Sequence, residues 1–300
     1  MNGVLNVCKE KGYTSHDVVA RLRGITHQKK IGHTGTLDPD ATGVLPVCFG
    51  NATKLCDFLT DQEKEYEAVM FLGKETDTYD ASGVMLTNKG IDGITPEAAE
   101  EAILSFVPGY EQVPPMYSAK KVGGKKLYEL AREGKEIERK PVYVGIPSIT
   151  ITRMELPRVI FTVRCEKGTY IRSLIHDIGQ KLSCGAMMEE LTRTSASGMH
   201  LADALCLSEI EELMQNGELE AHLLATDEAL KAYPALTAIP AADRFLHNGN
   251  LFLLSDVMAP PSHIENGTQF RVYDSARCFV GLYSYEQNGK RFRPAKMFLS

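Results

Sequence analysis

The chain has 300 residues, 43% of them hydrophobic and 24% charged, which suits one large domain with a small companion or two of similar size. No run of about 18 apolar residues occurs, and the opening Met-Asn-Gly-Val-Leu-Asn-Val-Cys lacks the basic and apolar regions of a signal peptide, so a cytoplasmic protein without a membrane span is expected. A net charge of −6 excludes a uniformly basic nucleic-acid binder and leaves only a patchwise one. In chain order, Thr14 and Asp17 have capping-box spacing and predict a helix from Thr14 to Leu22 that Gly24 stops. Tyr66–Leu72 alternates as a strand does. Thr95-Pro96-Glu97 predicts a helix to about Phe106, with cap, proline and acid in its first turn. Val159–Glu166 reads as a strand. Ile171, Leu174, Ile175, Ile178 and Leu182 then fall at helical spacing, which puts Tyr170 and Arg172 at a strand-to-helix junction. Ser208 is the expected cap of a short acidic helix, and Thr226-Asp227-Glu228 the start of another. From about residue 233 prolines break the chain. Gln269–Tyr273 and Cys278–Tyr285 then alternate like paired strands, with a hairpin turn over Tyr285–Lys290.

Charge is unevenly spread. Residues 119–140 carry eight Lys/Arg against four acids, residues 1–33 six against two and the last thirty residues six against two, while residues 203–231 hold eight acids and one Lys. Basic character gathered in patches is what phosphate binding requires, although a Lys-rich solvated helix would look the same. The seven cysteines are odd in number, scattered and without CxxC spacing, so free thiols in a reducing compartment are expected rather than disulfides or zinc.

The segment Ile31–Val47 is the most informative. It contains Gly32, Gly35, Gly43, Pro39 and Pro46 with the carboxylates Asp38 and Asp40, and it runs into the apolar string Val44–Phe49. Such a composition forbids a regular helix and predicts a tight loop tied to the core, a common site for chemistry. Taken alone, an Asp-Pro in a loop is more often a structural turn than a catalytic group.

The string Gly32-His33-Thr34-Gly35, Leu37-Asp38-Pro39, Ala41-Thr42-Gly43 and Leu45-Pro46 resembles the signature of the TruB-type tRNA pseudouridine synthases. Further motifs similar to that family's follow in family order: Gly12–Val19, Lys64-Glu65-Tyr66 with Leu72-Gly73, Thr76–Gly83, Pro114–Ala119 with Gly124–Tyr128, Lys167–Leu174 and Leu191-Thr192-Arg193. One departure stands out: where the family has Asp-Lys-Pro ahead of its first loop, this chain has Cys8-Lys9-Glu10, keeping only the lysine.

The resemblance implies an α+β fold. Its catalytic domain, residues 1–232, would be a mixed, mainly antiparallel sheet with flanking helices (the pseudouridine synthase fold), carrying a mobile RNA-binding thumb insertion at about 120–140. A small β-rich domain similar to PUA RNA-binding modules would follow at 233–300, although an inert β-domain is a fair competitor there. The resemblance further implies isomerisation of the T-loop uridine of tRNA, position 55, after the nucleotide is swung out of its stack. Asp38 is implied as nucleophile, Arg172 as its cationic neighbour, Tyr66 as the residue that stacks on the base, and Tyr170, Leu191 and the second carboxylate Asp77 as pocket residues. His33, Lys9, Thr34, Lys120, Lys121, Lys125 and Lys126 are implied as RNA contacts, with Thr34 and Lys9 either touching phosphates or ordering the loop. No cofactor, metal, membrane or obligate protein partner is expected; tRNA is the partner, and a monomer is favoured. Two other classes compete: an RNA-binding protein with an inactive site, and a glycoside hydrolase pairing Asp38 with Asp77 or Asp80. The basic patches and the absence of tryptophan weigh against the hydrolase.

Overall fold

The computed structural model describes residues 1–118, 120–135 and 137–299, with the side chains of Lys121, Val122, Lys126 and Arg132 outside the description. Its main sheet runs in the order Gly3–Lys9, Thr42–Phe49, Ala186–Ala196, Lys64–Leu72, Arg158–Cys165, Ser148–Glu155. Neighbours along this path pair antiparallel except Thr42–Phe49 with Ala186–Ala196, which pair parallel over Thr42/Thr192 and Gly43/Arg193. That join is short and crowded. Gly43 has φ +102°, and a Cβ there would lie 2.3 Å from the Arg193 carbonyl oxygen, so the register admits only glycine. Across the same row, Arg193 faces Tyr66 and Tyr66 faces Val163.

The alternation seen in Tyr66–Leu72 serves a half-buried strand, which spans Lys64–Leu72 with Tyr66, Ala68, Met70 and Leu72 inward. These residues share one core with the helices Pro96–Leu104 and Ile171–Lys181. A second core packs the helices Ser15–Thr26 and Leu207–Gln215 against the N-terminal strands. The first of these helices has the expected box: Thr14 Oγ1 accepts from Asp17 N at 3.1 Å, and Asp17 Oδ2 accepts from Thr14 N at 2.8 Å. Gly24 does not end it. The helix continues to Thr26, and His27 supplies the left-handed cap at φ 51°. The acidic helix likewise starts before Ser208, because Glu209 Oε2 accepts from Cys206 N at 2.7 Å and makes Cys206 the cap. Thr226-Asp227-Glu228 leads only into the 3-10 turn Glu228–Leu230.

Residues from Ala235 onward build a separate five-stranded sheet in the order Ala235–Thr237, Gln269–Tyr273, Phe279–Glu286, Arg291–Met297, Phe252–Leu253. It has its own core, in which Phe252 stacks on Phe292 at 4.9 Å. Lys54 Nζ donates to Met297 O at 2.8 Å, and an apolar cluster containing Leu55, Leu59, Leu282 and Phe298 joins the two sheets. Within 120–140, Lys121–Val122 pairs with Lys125–Lys126 as a hairpin leading into the helix Leu127–Arg132. No helix among the described residues is long and apolar enough to cross a membrane.

Candidate active site

The loop between strands Ile31–His33 and Thr42–Phe49 is pinned on several sides. Leu37 N donates to Ser15 Oγ at 3.0 Å, Thr34 N to Pro46 O at 3.0 Å, and Gly12 N to Pro39 O at 2.9 Å. Leu37 and Ala41 enter the main core. Lys9 is fully buried, and its ammonium donates to Tyr13 O at 2.6 Å, Pro39 O at 3.0 Å and Glu10 O at 3.1 Å. A charge enclosed this way is satisfied by carbonyl oxygens and has no donor left for phosphate. Lys9 therefore orders the loop, one of the two roles expected of it. The bond to Pro39 O ties this loop to the 9–13 segment without the flanking Asp and Pro.

What the loop presents is Asp38, with its side chain 41% exposed. Arg172 meets it from the first turn of the helix Ile171–Lys181. The junction before that helix is set by Gln112, which accepts from Tyr170 N at 2.8 Å and donates to Tyr170 O at 3.0 Å. The guanidinium is 6% exposed and fully occupied: Nε lies 2.9 Å from Asp38 Oδ2 and Nη2 3.2 Å from Asp38 Oδ1. Its Nη1 lies 3.3 Å from Asp80 Oδ2 and donates to Thr78 O at 3.2 Å, while Nη2 donates to Tyr117 O at 3.0 Å. This two-pronged geometry fixes direction as well as distance. Enclosure in the site pushes the Asp38 carboxyl above its ordinary range; Arg172 is the largest influence opposing that rise, and Asp80 adds to it.

These residues face a cavity of about 960 Å³, near the upper end of the roughly 300–1,000 Å³ common for small-molecule sites. Asp38, Tyr66, Tyr170, Arg172 and Leu191 all line it. Tyr66 and Leu191 are 8% and 7% exposed, so the far wall is apolar with a phenol at its edge. Burial raises the Tyr66 phenol, and the neighbouring Arg193 opposes that. Arg193 is 1% exposed; its Nε donates to Val44 O at 2.6 Å. Beside it, burial first and then Arg193 lower the Lys64 ammonium to about 8.

Asp77 is not in this cavity. Its Oδ1 accepts from Val84 N at 2.7 Å, the turn-capping role, and the second carboxylate in the site is Asp80. Asp80 Oδ1 accepts from Thr78 Oγ1 at 2.7 Å, Ser82 N at 3.0 Å and Ser82 Oγ at 2.6 Å, leaving Oδ2 for Arg172. His33 also lies outside the cavity wall, set edge-on against His16 at 5.3 Å with Nδ1 buried and unbonded; burial lowers its pKa. Thr34 is 1% exposed and, through its backbone bond to Pro46 O, takes the loop-ordering role among the two expected of it. Lys120 is exposed, and Lys125 pairs with Glu133 at 3.3 Å. The side chains of Lys121 and Lys126 lie outside the described residues. Gln112, Tyr117 and Asp80, which frame Arg172, carry no sequence signature of that role. No group of three His, Cys, Asp or Glu among the described residues could hold a metal ion.

Comparison with known proteins identifies a family. Residues 23–171 match the family model described as TruB family pseudouridylate synthase (N terminal domain), and residues 172–231 match tRNA pseudouridylate synthase B C-terminal domain. A tRNA pseudouridine synthase B from Lachnoclostridium phytofermentans is 49% identical, with 100% of each chain covered. One from Clostridium acetobutylicum is 43% identical over 96% of this chain and 97% of its own. Among solved structures, one of an H/ACA RNP bound to a substrate RNA containing 2′-deoxyuridine aligns with a TM-score of 0.76 and 23% identity, covering 99% of this chain and 85% of that chain. At that identity the likeness speaks for the fold.

Proposed function

This chain belongs to the TruB family of pseudouridylate synthases, and on that premise we propose that it isomerises the T-loop uridine at position 55 of tRNA, with Asp38 as the nucleophile. The enzyme is a tRNA pseudouridine synthase, an isomerase. One observation carries the finer reading: a part-exposed carboxylate held at 2.9 and 3.2 Å by a buried guanidinium, lining a cavity of about 960 Å³ that has room for a nucleotide.

The reaction breaks C1′–N1, joins C1′ to C5, releases the C5 proton and places a proton on N1, so atoms balance without a co-reactant. A target inside a folded RNA must leave its stack first, at a cost of a few kcal/mol. The apolar wall of Leu191 and the ring of Tyr66 receive the base, and base–aromatic stacking returns about 1–3 kcal/mol. Enclosure raises the Asp38 pKa, and Arg172 is the largest influence opposing that rise, which favours the ionised nucleophile. Attack by that carboxylate at C1′ or at C6 uses the same ionised oxygen. The competing hydrolase reading needs one carboxyl to act as an acid while the other stays charged. Here a single guanidinium clasps both Asp38 and Asp80, which leaves no such division. Exposed Lys120 and Lys125 on the 120–140 insertion supply phosphate contacts that read the T-stem by shape.

Tritium release from a tRNA transcript labelled at uracil C5 tests the proposal. Wild type should release tritium from a transcript with uridine at position 55 and none when that position is cytidine. Release from both transcripts would move the target elsewhere. Binding without release would leave an RNA-binding protein.

A further inference from the structure

Arg172 is aligned by a turn as well as by Asp38, and that turn is itself under strain. Tyr79 sits at φ +65°, a left-handed conformation that a bulky side chain rarely adopts. Its neighbours are the two groups that Arg172 Nη1 touches: Thr78 through its carbonyl at 3.2 Å and Asp80 through Oδ2 at 3.3 Å. Without the inversion at Tyr79, that carbonyl and that carboxylate would not converge on one guanidinium nitrogen. The backbone on either side is tied to the sheet, because Met188 N donates to Tyr79 O at 2.9 Å and Ala81 N to Met188 O at 2.9 Å. The ring of Tyr79 points the other way, onto His176, with centroids 3.9 Å apart and planes 13° from parallel.

His176 lies one helical turn after Arg172 on the same helix, so one helix face carries both the guanidinium and the ring that backs the turn. Glu75 flanks the imidazole at 3.8 Å and is itself held by Thr87 Oγ1 at 2.8 Å and by Gln180. Burial lowers the His176 pKa, against the opposing influence of Asp177 and Glu75. His176 makes no hydrogen bond through Nδ1, and stacking is its defined contact to the turn.

We propose that His176 is a positioning residue: by stacking on Tyr79 it holds the strained 77–83 turn in the form that aligns Arg172 on Asp38. The inference rests on the isomerase reading above and extends it to two residues outside the cavity wall that receives the base. It predicts that the ring, not the proton, of His176 matters.

The test uses full-length enzyme and tritium release from tRNA, with kcat and KM separated. His176→Ala should lower kcat roughly ten- to a hundredfold, the scale of a small misplacement of a catalytic group, with KM little changed. His176→Phe, which keeps the stack, should recover most of that loss. Tyr79→Gly guards against simple unfolding, because glycine adopts φ +65° freely and relieves the backbone. It should match wild type in thermal stability yet lose kcat as His176→Ala does. Equal losses in His176→Ala and His176→Phe, or an unchanged kcat in Tyr79→Gly, would overturn the inference alone. A wild type without release overturns the isomerase reading as well.

Discussion

Arg172 Nε lies 2.9 Å from Asp38 Oδ2, although the two residues sit 134 positions apart and on different elements. The pairing is built from both sides. Buried Lys9 ties the Asp38 loop, through Pro39 O, to the 10–13 segment, and Gln112 fixes the start of the Arg172 helix.

The electrostatics give a pH prediction. Burial raises the folded-state pKa of Asp38, and Arg172 is the largest opposing influence. A carboxylate nucleophile is lost as pH falls through its pKa, so that group sets the acid limb of kcat/KM. Arg172→Gln removes the opposing charge, and the acid limb should move upward by roughly 1–3 pH units. A limb that stays in place or moves down would show that Arg172 does not hold Asp38 ionised.

Lys9 gives a stability prediction. It is wholly buried with three carbonyl partners, and removing a charged hydrogen-bonding group of that kind costs about 1–3 kcal/mol. Lys9→Met should lower the urea midpoint accordingly and slow turnover through the loosened loop, while tRNA affinity holds. A variant with normal stability and weakened tRNA binding would restore the phosphate role.

Much of this site was legible in the chain. The 31–47 loop had to be irregular and anchored, because its glycines and prolines exclude regular structure while Leu37, Ala41 and Val44–Phe49 are apolar, and it is so built. Arg172 at a strand-to-helix junction followed from the helical spacing after it. Asp77 and Asp80 could not be told apart, since both are turn-forming acids and only the fold shows Asp77 capping Val84 N while Asp80 meets Arg172. Lys9 could not be recognised as buried, because a lysine's partners are backbone oxygens that composition does not reveal. Gly24 misled because an internal glycine and a helix stop look alike until the cap residue is seen.

The parallel strand join makes its own demand. Gly43→Ala would place a Cβ 2.3 Å from Arg193 O at φ +102°. Strain of this type costs about 1–3 kcal/mol. Thermal denaturation should show that loss together with reduced activity, because Tyr66 shares the row with Arg193. An alanine variant as stable as wild type would contradict the register.

The insertion makes a salt prediction. Each phosphate neutralised changes the slope of log K against log salt by about 0.7–0.9. Lys120→Ala with Lys125→Ala should flatten that slope by roughly 1–2 and raise KM, leaving kcat near wild type. An unchanged slope would mean these exposed lysines do not meet RNA.

The most direct measurement maps pseudouridine in a tRNA transcript after incubation with wild type and with Asp38→Asn, which keeps the side chain's shape and removes its charge. Pseudouridine should form at position 55 with wild type and not with the variant, at equal tRNA binding. Product at that position from the Asn variant at a comparable rate would contradict Asp38 as the nucleophile.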